Sequence, residues 1–299
     1  MGLALLAWAS EQFIAGAAHV ATSMRVSAVL IGAVVIGFGT SLPELLVTVL
    51  AAADGAGDIA LGSVVGSNIA NLTLVLGSAA ILTPIAVARP SLRREALISL
   101  GAVLLLAIAL QGGVGRIEGA VLVVLMVAAL WFLIATEPDS GPRESMPEAK
   151  SAGRGLRFEG GRTVLGLAGT LAGAQLLVLG AQGIADTAGL SEGFVGLTIV
   201  AVGTSLPELF AAIQSGRRGE TDLILGNVLG SNMFNSLGIA GIAMLIDPGQ
   251  VATNVAQTGA IAMAVIAVAA FLMMARGRVG RIEGVGLVIA FAVLIPFLQ

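Results

Sequence analysis

Cysteine is absent from this 299-residue chain, so disulfides, thiolate metal sites and thiol catalysis are excluded. Histidine occurs once, at His19, so no His-Glu-x-x-His motif exists. Charged residues make up 11% of the chain, against about 25% for a soluble domain. Aromatics are 4% and form no platform beside a basic patch, so no nucleic-acid partner is expected. What the chain has instead is 57% hydrophobic residues and a mean hydropathy of +1.00. Apolar runs of about 20 residues, the length that spans a bilayer as helix, recur almost throughout. The chain therefore reads as an all-α integral membrane protein. The first run begins beside Met1 without a basic leader or a small-residue cleavage site, so no removable signal peptide is expected.

Ten membrane helices are predicted, at 1–22, 26–53, 58–82, 92–111, 116–136, 163–186, 190–215, 220–246, 252–275 and 280–298. Between the fifth and sixth lies a polar stretch, 137–162, with Pro138, Pro142 and Pro147, which reads as a linker. The domains are then a first five-helix repeat, 1–136, the linker 137–162, and a second repeat, 163–299.

A duplication supports that division. Gly39-Thr40-Ser41-Leu42-Pro43-Glu44-Leu45 returns as Gly203-Thr204-Ser205-Leu206-Pro207-Glu208-Leu209. Gly62-Ser63-Val64-Val65-Gly66-Ser67-Asn68-Ile69-Ala70-Asn71 returns as Gly226-Asn227-Val228-Leu229-Gly230-Ser231-Asn232-Met233-Phe234-Asn235. The offset is 164, and 16 of the 33 positions from Gly39 to Asn71 are identical. Val114-Gly115-Arg116-Ile117-Glu118-Gly119 likewise returns as Val279-Gly280-Arg281-Ile282-Glu283-Gly284. Five spans per half put the second half in the opposite sense, which makes inverted repeats. Fourteen of the 15 basic residues fall on one side of this topology, with only Arg116 on the other. The positive-inside rule then predicts a cytoplasmic linker and both termini outside, in a cell (inner) membrane.

Glu44 and Glu208 fall near mid-membrane, where an acidic side chain costs about 2.5–3.5 kcal/mol. Each should therefore face a polar interior. Pro43 and Pro207 break their helices, and the break is expected to free carbonyl oxygens toward a cavity. Thr40, Ser41, Thr204 and Ser205 add hydroxyls. An opposing wall carries Ser67, Asn68, Asn71, Ser231, Asn232 and Asn235, on faces of small residues that permit close packing. The assembled set holds two carboxylates, hydroxyls, amides and carbonyls without sulfur or imidazole, which suits a hard cation such as Ca2+. Several Na+ ions or protons are alternative occupants. A passive channel is disfavoured by the inverted repeats, and an enzyme would leave the paired hydroxyls and amides unused. His19 reads as interfacial. Glu11, whose repeat mate is Gln175, is read evenly as lining an ion path or pairing with a polar neighbour.

Both copies of the motif resemble the alpha repeats of the calcium/cation antiporter superfamily, particularly its prokaryotic sodium/calcium exchanger branch. That resemblance covers all ten helices. It implies alternating access with Ca2+ exchanged for Na+; no cofactor and no obligate protein partner are expected beyond these ions and the bilayer, and H+ is the alternative counter-ion because the site has only two acids with Asn235 on its wall. It also implies Glu44 and Glu208 as principal ligands, Gly37, Thr40, Ala201 and Thr204 as carbonyl donors, and Ser67, Ser231, Asn71 and Asn235 as wall ligands. Members of this branch can carry aspartate where this chain has Asn235, which leaves two acids here.

Overall fold

A computed structural model describes residues 2–24, 26–112, 114–136, 155–187, 201–249 and 258–294. The described residues are almost wholly helical. α1 covers Gly2–Met24. α2 (Ala28–Ile31) runs through a π-helical turn at Gly32–Gly37 into α3 (Phe38–Thr40), and α4 (Leu42–Ala53) continues beyond a break. α5 (Gly57–Ala70) passes through a second π-turn, Asn71–Val75, into α6 (Leu76–Leu82). A short turn, α7 (Arg89–Ser91), leads through a π-turn to α8 (Leu97–Gly112), followed by α9 (Arg116–Ala135) and α10 (Leu156–Thr187). The second half adds α11 (Ala201–Thr204), α12 (Leu206–Arg217), α13 (Thr221–Met233), a π-turn at Phe234–Ile239, α14 (Ala240–Ile246), α15 (Ala260–Ala275) and α16 (Arg281–Leu294).

Every one of the ten predicted spans thus contains described helix. Among the described residues, five helices are long and apolar enough to cross a membrane, six if the pair 28–40 and 42–53, bent by 46°, is counted as one span. The chain is a multi-pass membrane protein.

One boundary moves. α10 starts at Leu156, seven residues inside the predicted linker 137–162. Hydropathy misses this turn because its polar groups are satisfied by a neighbouring helix. Arg162 donates from Nε and Nη2 to Gln12 Oε1 at 3.0 and 2.8 Å, and also pairs with Glu159 at 3.5 Å. The rest of that linker, 137–154, lies outside the described residues, as do Arg25, 188–200 with the start of the seventh predicted span, and 250–257 with the start of the ninth.

The repeat relation is visible in the contacts. Residues 85–86 and 278–279 pair as a two-stranded antiparallel ribbon, Ile85 with Val279 and Ala86 with Arg278. Val114 and Gly249 form a single bridge elsewhere. Val114 is the repeat mate of Val279, and 85 plus 164 gives 249, so the Ile85–Val279 and Gly249–Val114 clasps are mates. Gly55 (φ 74°) and Gly219 (φ 73°) are also mates, each turning the chain between a broken helix and its partner. The left-handed conformation explains why glycine stands there in both copies.

Lipid offers no hydrophobic drive between helices, so close contact of small residues supplies the cohesion. A Cβ on Gly77 would stand 2.8 Å from the Gly284 carbonyl, and one on Gly119 2.7 Å from that of Gly241. α13 lies against the first π-turn with the same intimacy. A Cβ on Gly226 would meet Val29 O at 2.3 Å, and one on Gly230 would meet Ala33 Cα at 2.4 Å.

Candidate ion-binding site

The first helix break falls at Ser41 (φ −82°, ψ 7°) and the second at Ser205 (φ −87°, ψ 3°). Proline two residues later cannot donate, so the new helix starts there. Glu44 and Glu208 then occupy the first turns of α4 and α12. The partial positive charge of a helix N-terminus favours an ionised carboxylate at that spot. Both glutamates are only 1% exposed.

The carboxylates meet across the repeats. Ser41 Oγ donates to Glu208 Oε1 at 2.9 Å, and Ser205 Oγ donates to Glu44 Oε1 at 3.4 Å. Each acid is therefore held by the serine at the other repeat's break, and the two acids lie close enough to interact electrostatically. The second oxygen of each, Glu44 Oε2 and Glu208 Oε2, is buried without a partner.

The wall residues complete the set. Asn71 and Asn235 are each 1% exposed, and both ends of both amides lack partners. Asn71 opens one π-turn and Asn235 is the second residue of another. Such turns rotate side chains off the regular helical face and are frequent at functional sites. Ser67 is buried in the same wall. Ser231 Oγ donates to Gly37 O at 3.2 Å, and Ser41 N–H donates to the same carbonyl at 3.2 Å. The Gly37 carbonyl is thus engaged within the protein, contrary to the expectation that the break frees it. The reason is that α13 packs so closely that its serine reaches the first broken helix. Thr40 Oγ1 donates back to Ile36 O at 2.9 Å. Thr204 is buried beside Glu44. Ala201 opens α11.

Asn68 differs from expectation. Its Nδ2 donates to Ser236 Oγ at 2.9 Å and to Met263 Sδ at 3.3 Å, which turns that end of the amide toward the second half's π-turn and α15. One residue of helix turns a side chain by about 100°, so Ser67 and Asn68 cannot share a face. Glu11 is exposed on α1, and its neighbour Gln12 makes the contact with Arg162.

Among the buried polar residues that escaped sequence reasoning are Thr48 and Asn227. Thr48, fully buried, has no partner for its hydroxyl. Asn227, 1% exposed, reaches both broken helices. The available signal for each was a mismatch between repeats: Thr48 mates with Ala212, and Asn227 with Ser63.

Buried carboxylate and amide atoms without partners are costly in a low-dielectric interior. A dehydrated cation is the kind of occupant that would satisfy them together. The donors are all oxygen, in number and irregularity suited to Ca2+ or Na+. Two carboxylates balance one divalent ion or two monovalent ones. Among the described residues no cluster of three or more His, Cys, Asp or Glu exists, so neutral oxygens must supply the remaining donors.

The model of the family described as sodium/calcium exchanger protein matches residues 1–135 and 161–298. The chain is 38% identical to antiporter CaxA of Alkalimonas amylolytica, over 97% of this chain and 94% of that protein. It is 31% identical to sodium/calcium exchanger MaX1 of Methanosarcina acetivorans, over 100% and 97%. Its structure is similar to that of the sodium-calcium exchanger NCX_Mj, with a TM-score of 0.89, 30% identity, and coverage of 100% and 96%.

Proposed function

The chain belongs to the sodium/calcium exchanger protein family, and on that premise we propose that it exchanges Ca2+ for Na+ across a membrane by alternating access. As a member it is a cation/Ca2+ antiporter; the identity of the coupling ion is our reading. The observation that carries it is the cross-repeat pair Glu44 and Glu208, each with one oxygen engaged by the opposite serine and one left bare. Ca2+ and Na+ would compete for those bare oxygens and for the Asn71 and Asn235 amides. Occupancy by one cation excludes the other, which is the physical requirement of antiport. Ser67, Thr204 and the carbonyls of Thr40 and Ala201 would complete a ligand shell around either ion. No bond is made or broken, so the chain is proposed as a transporter and not an enzyme. From the basic-residue bias, we place it in the cell membrane with the linker cytoplasmic and both termini outside.

Reconstituted vesicles test this. An outward Na+ gradient should drive radiolabelled Ca2+ uptake, and Glu44→Gln or Glu208→Gln should abolish it. Uptake unchanged in both variants refutes the site. A proton-coupled exchanger is the second reading, favoured by a site of only two acids with neutral Asn235 on its wall. Uptake driven by a pH gradient in the absence of Na+, and not by Na+, would establish it instead.

A further inference from the structure

At one repeat position the two halves of the site differ in chemistry and in burial, Asn227 being buried and Ser63 half-buried. Asn227 of α13 is the repeat mate of Ser63 in α5. Its Nδ2 donates to the backbone carbonyl of Glu208 at 3.1 Å, and its Oδ1 lies 3.3 Å from the Thr40 hydroxyl, whose one proton it shares with Ile36 O at 2.9 Å. Those partners belong to opposite repeats, Thr40 at the end of α3 and Glu208 at the start of α12. One amide therefore joins both broken helices beside the carboxylates. Its own backbone oxygen is pressed on the first of them as well: a Cβ on Gly37 would stand 3.1 Å away. One turn on, Ser231 Oγ holds the Gly37 carbonyl. α13 thus grips the chain before the Ser41 break at two successive levels. A serine presents one oxygen where an amide presents a separate donor and acceptor, so Ser63 lacks this two-ended reach.

We propose that Asn227 is a positioning residue for cation exchange. It ties the Thr40 hydroxyl to the Glu208 backbone, so that the Glu208 half of the site closes on an ion in register with the first broken helix. The half built around Ser63 has no amide to do the same, and the two half-sites differ in stiffness. The inference rests on the exchange reading above.

The test is Na+-driven Ca2+ uptake in vesicles, measured against Ca2+ concentration, for the wild type, Asn227→Ala, Asn227→Ser and the swap Ser63→Asn/Asn227→Ser. Loss of the buried bond to Glu208 O and of the shared contact with Thr40 should raise the Ca2+ KM about tenfold while the maximal rate stays within about twofold. The swap should restore KM to within about threefold of wild type, because the bridge is rebuilt at the mated position. Ca2+-dependent thermal stabilisation in detergent gives an independent reading of affinity, and Asn227→Ser serves if the alanine variant does not fold. A merely structural role would lower the maximal rate and the yield of folded protein and leave KM alone. That result, or a swap no better than Asn227→Ser, overturns the inference. Wild-type protein with no Na+-driven uptake overturns the exchange reading instead, and the Ca2+ stabilisation of Asn227→Ser against wild type still decides the role of the amide.

Discussion

Replacing Gly230 by alanine tests how closely the site depends on backbone contact. The new Cβ would stand 2.4 Å from Ala33 Cα, 2.5 Å from Ala33 O and 2.8 Å from Ala33 C. All three are backbone atoms of a helical turn, so no flexible side chain can yield. Ordinary carbon contacts lie at about 3.5–4.0 Å, so α13 must retreat from the π-turn by about 1 Å. Overpacking of this kind costs about 1–3 kcal/mol. The retreat also carries away Ser231 and Asn227, whose bonds to Gly37 O and Thr40 begin at 3.2 and 3.3 Å. At about 4 Å neither is a hydrogen bond, and each contributes about 1 kcal/mol. The sum is about 3–5 kcal/mol, enough to lower thermal stability plainly and to weaken Ca2+ by tenfold or more. The assay is thermal unfolding in detergent alongside vesicle uptake. Gly286→Ala is the control, since it lies exposed on α16 with nothing within 4 Å. A Gly230→Ala protein that melts with the wild type and keeps its Ca2+ KM would refute the reasoning.

Other outcomes follow from particular groups. Gln12→Ala removes the acceptor of two Arg162 bonds, at 3.0 and 2.8 Å; stability should fall by about 1–3 kcal/mol. Adding Arg162→Ala should cost less than the sum of the single changes in a thermal-unfolding cycle. Glu220 lies just ahead of α13, where burial pushes its carboxyl above the ordinary value of 4.5 despite Arg218 at 2.9 Å. A raised folded-state value means the folded protein holds the proton more tightly, so this group's contribution is lost as pH rises from 4.5 through that value. Glu220→Gln should therefore gain on wild type across the same rise and then hold level; a difference constant with pH would contradict it. Asn235→Asp adds a third acid beside two buried ones, which cannot all ionise without a cation. Uptake by that variant should depend on pH more steeply than uptake by the wild type.

Much of this protein is local information. The breaks at Ser41 and Ser205 follow from proline two residues on, and the turns at Gly55 and Gly219 from the left-handed backbone that glycine supplies. Helix length follows from apolar runs, and the duplication alone implies an axis that brings Glu44 and Glu208 together. The early start of α10 was hidden because Arg162 finds a partner on α1 and Glu159 pairs with Arg162, and a hydropathy window counts charges without seeing their partners.

Tertiary structure decided which serine holds which acid. Ser41 with Glu208 and Ser205 with Glu44 are pairs 167 and 161 residues apart, and nothing near either residue encodes the exchange. It also decided that the Gly37 carbonyl is engaged, that Asn68 turns toward α15, and that Asn227 bridges the halves. Propensity and periodicity act over a few residues and fix breaks, faces and spans. Which faces touch depends on the rotation and separation of whole helices, a property of the packed bundle that no single stretch of chain contains.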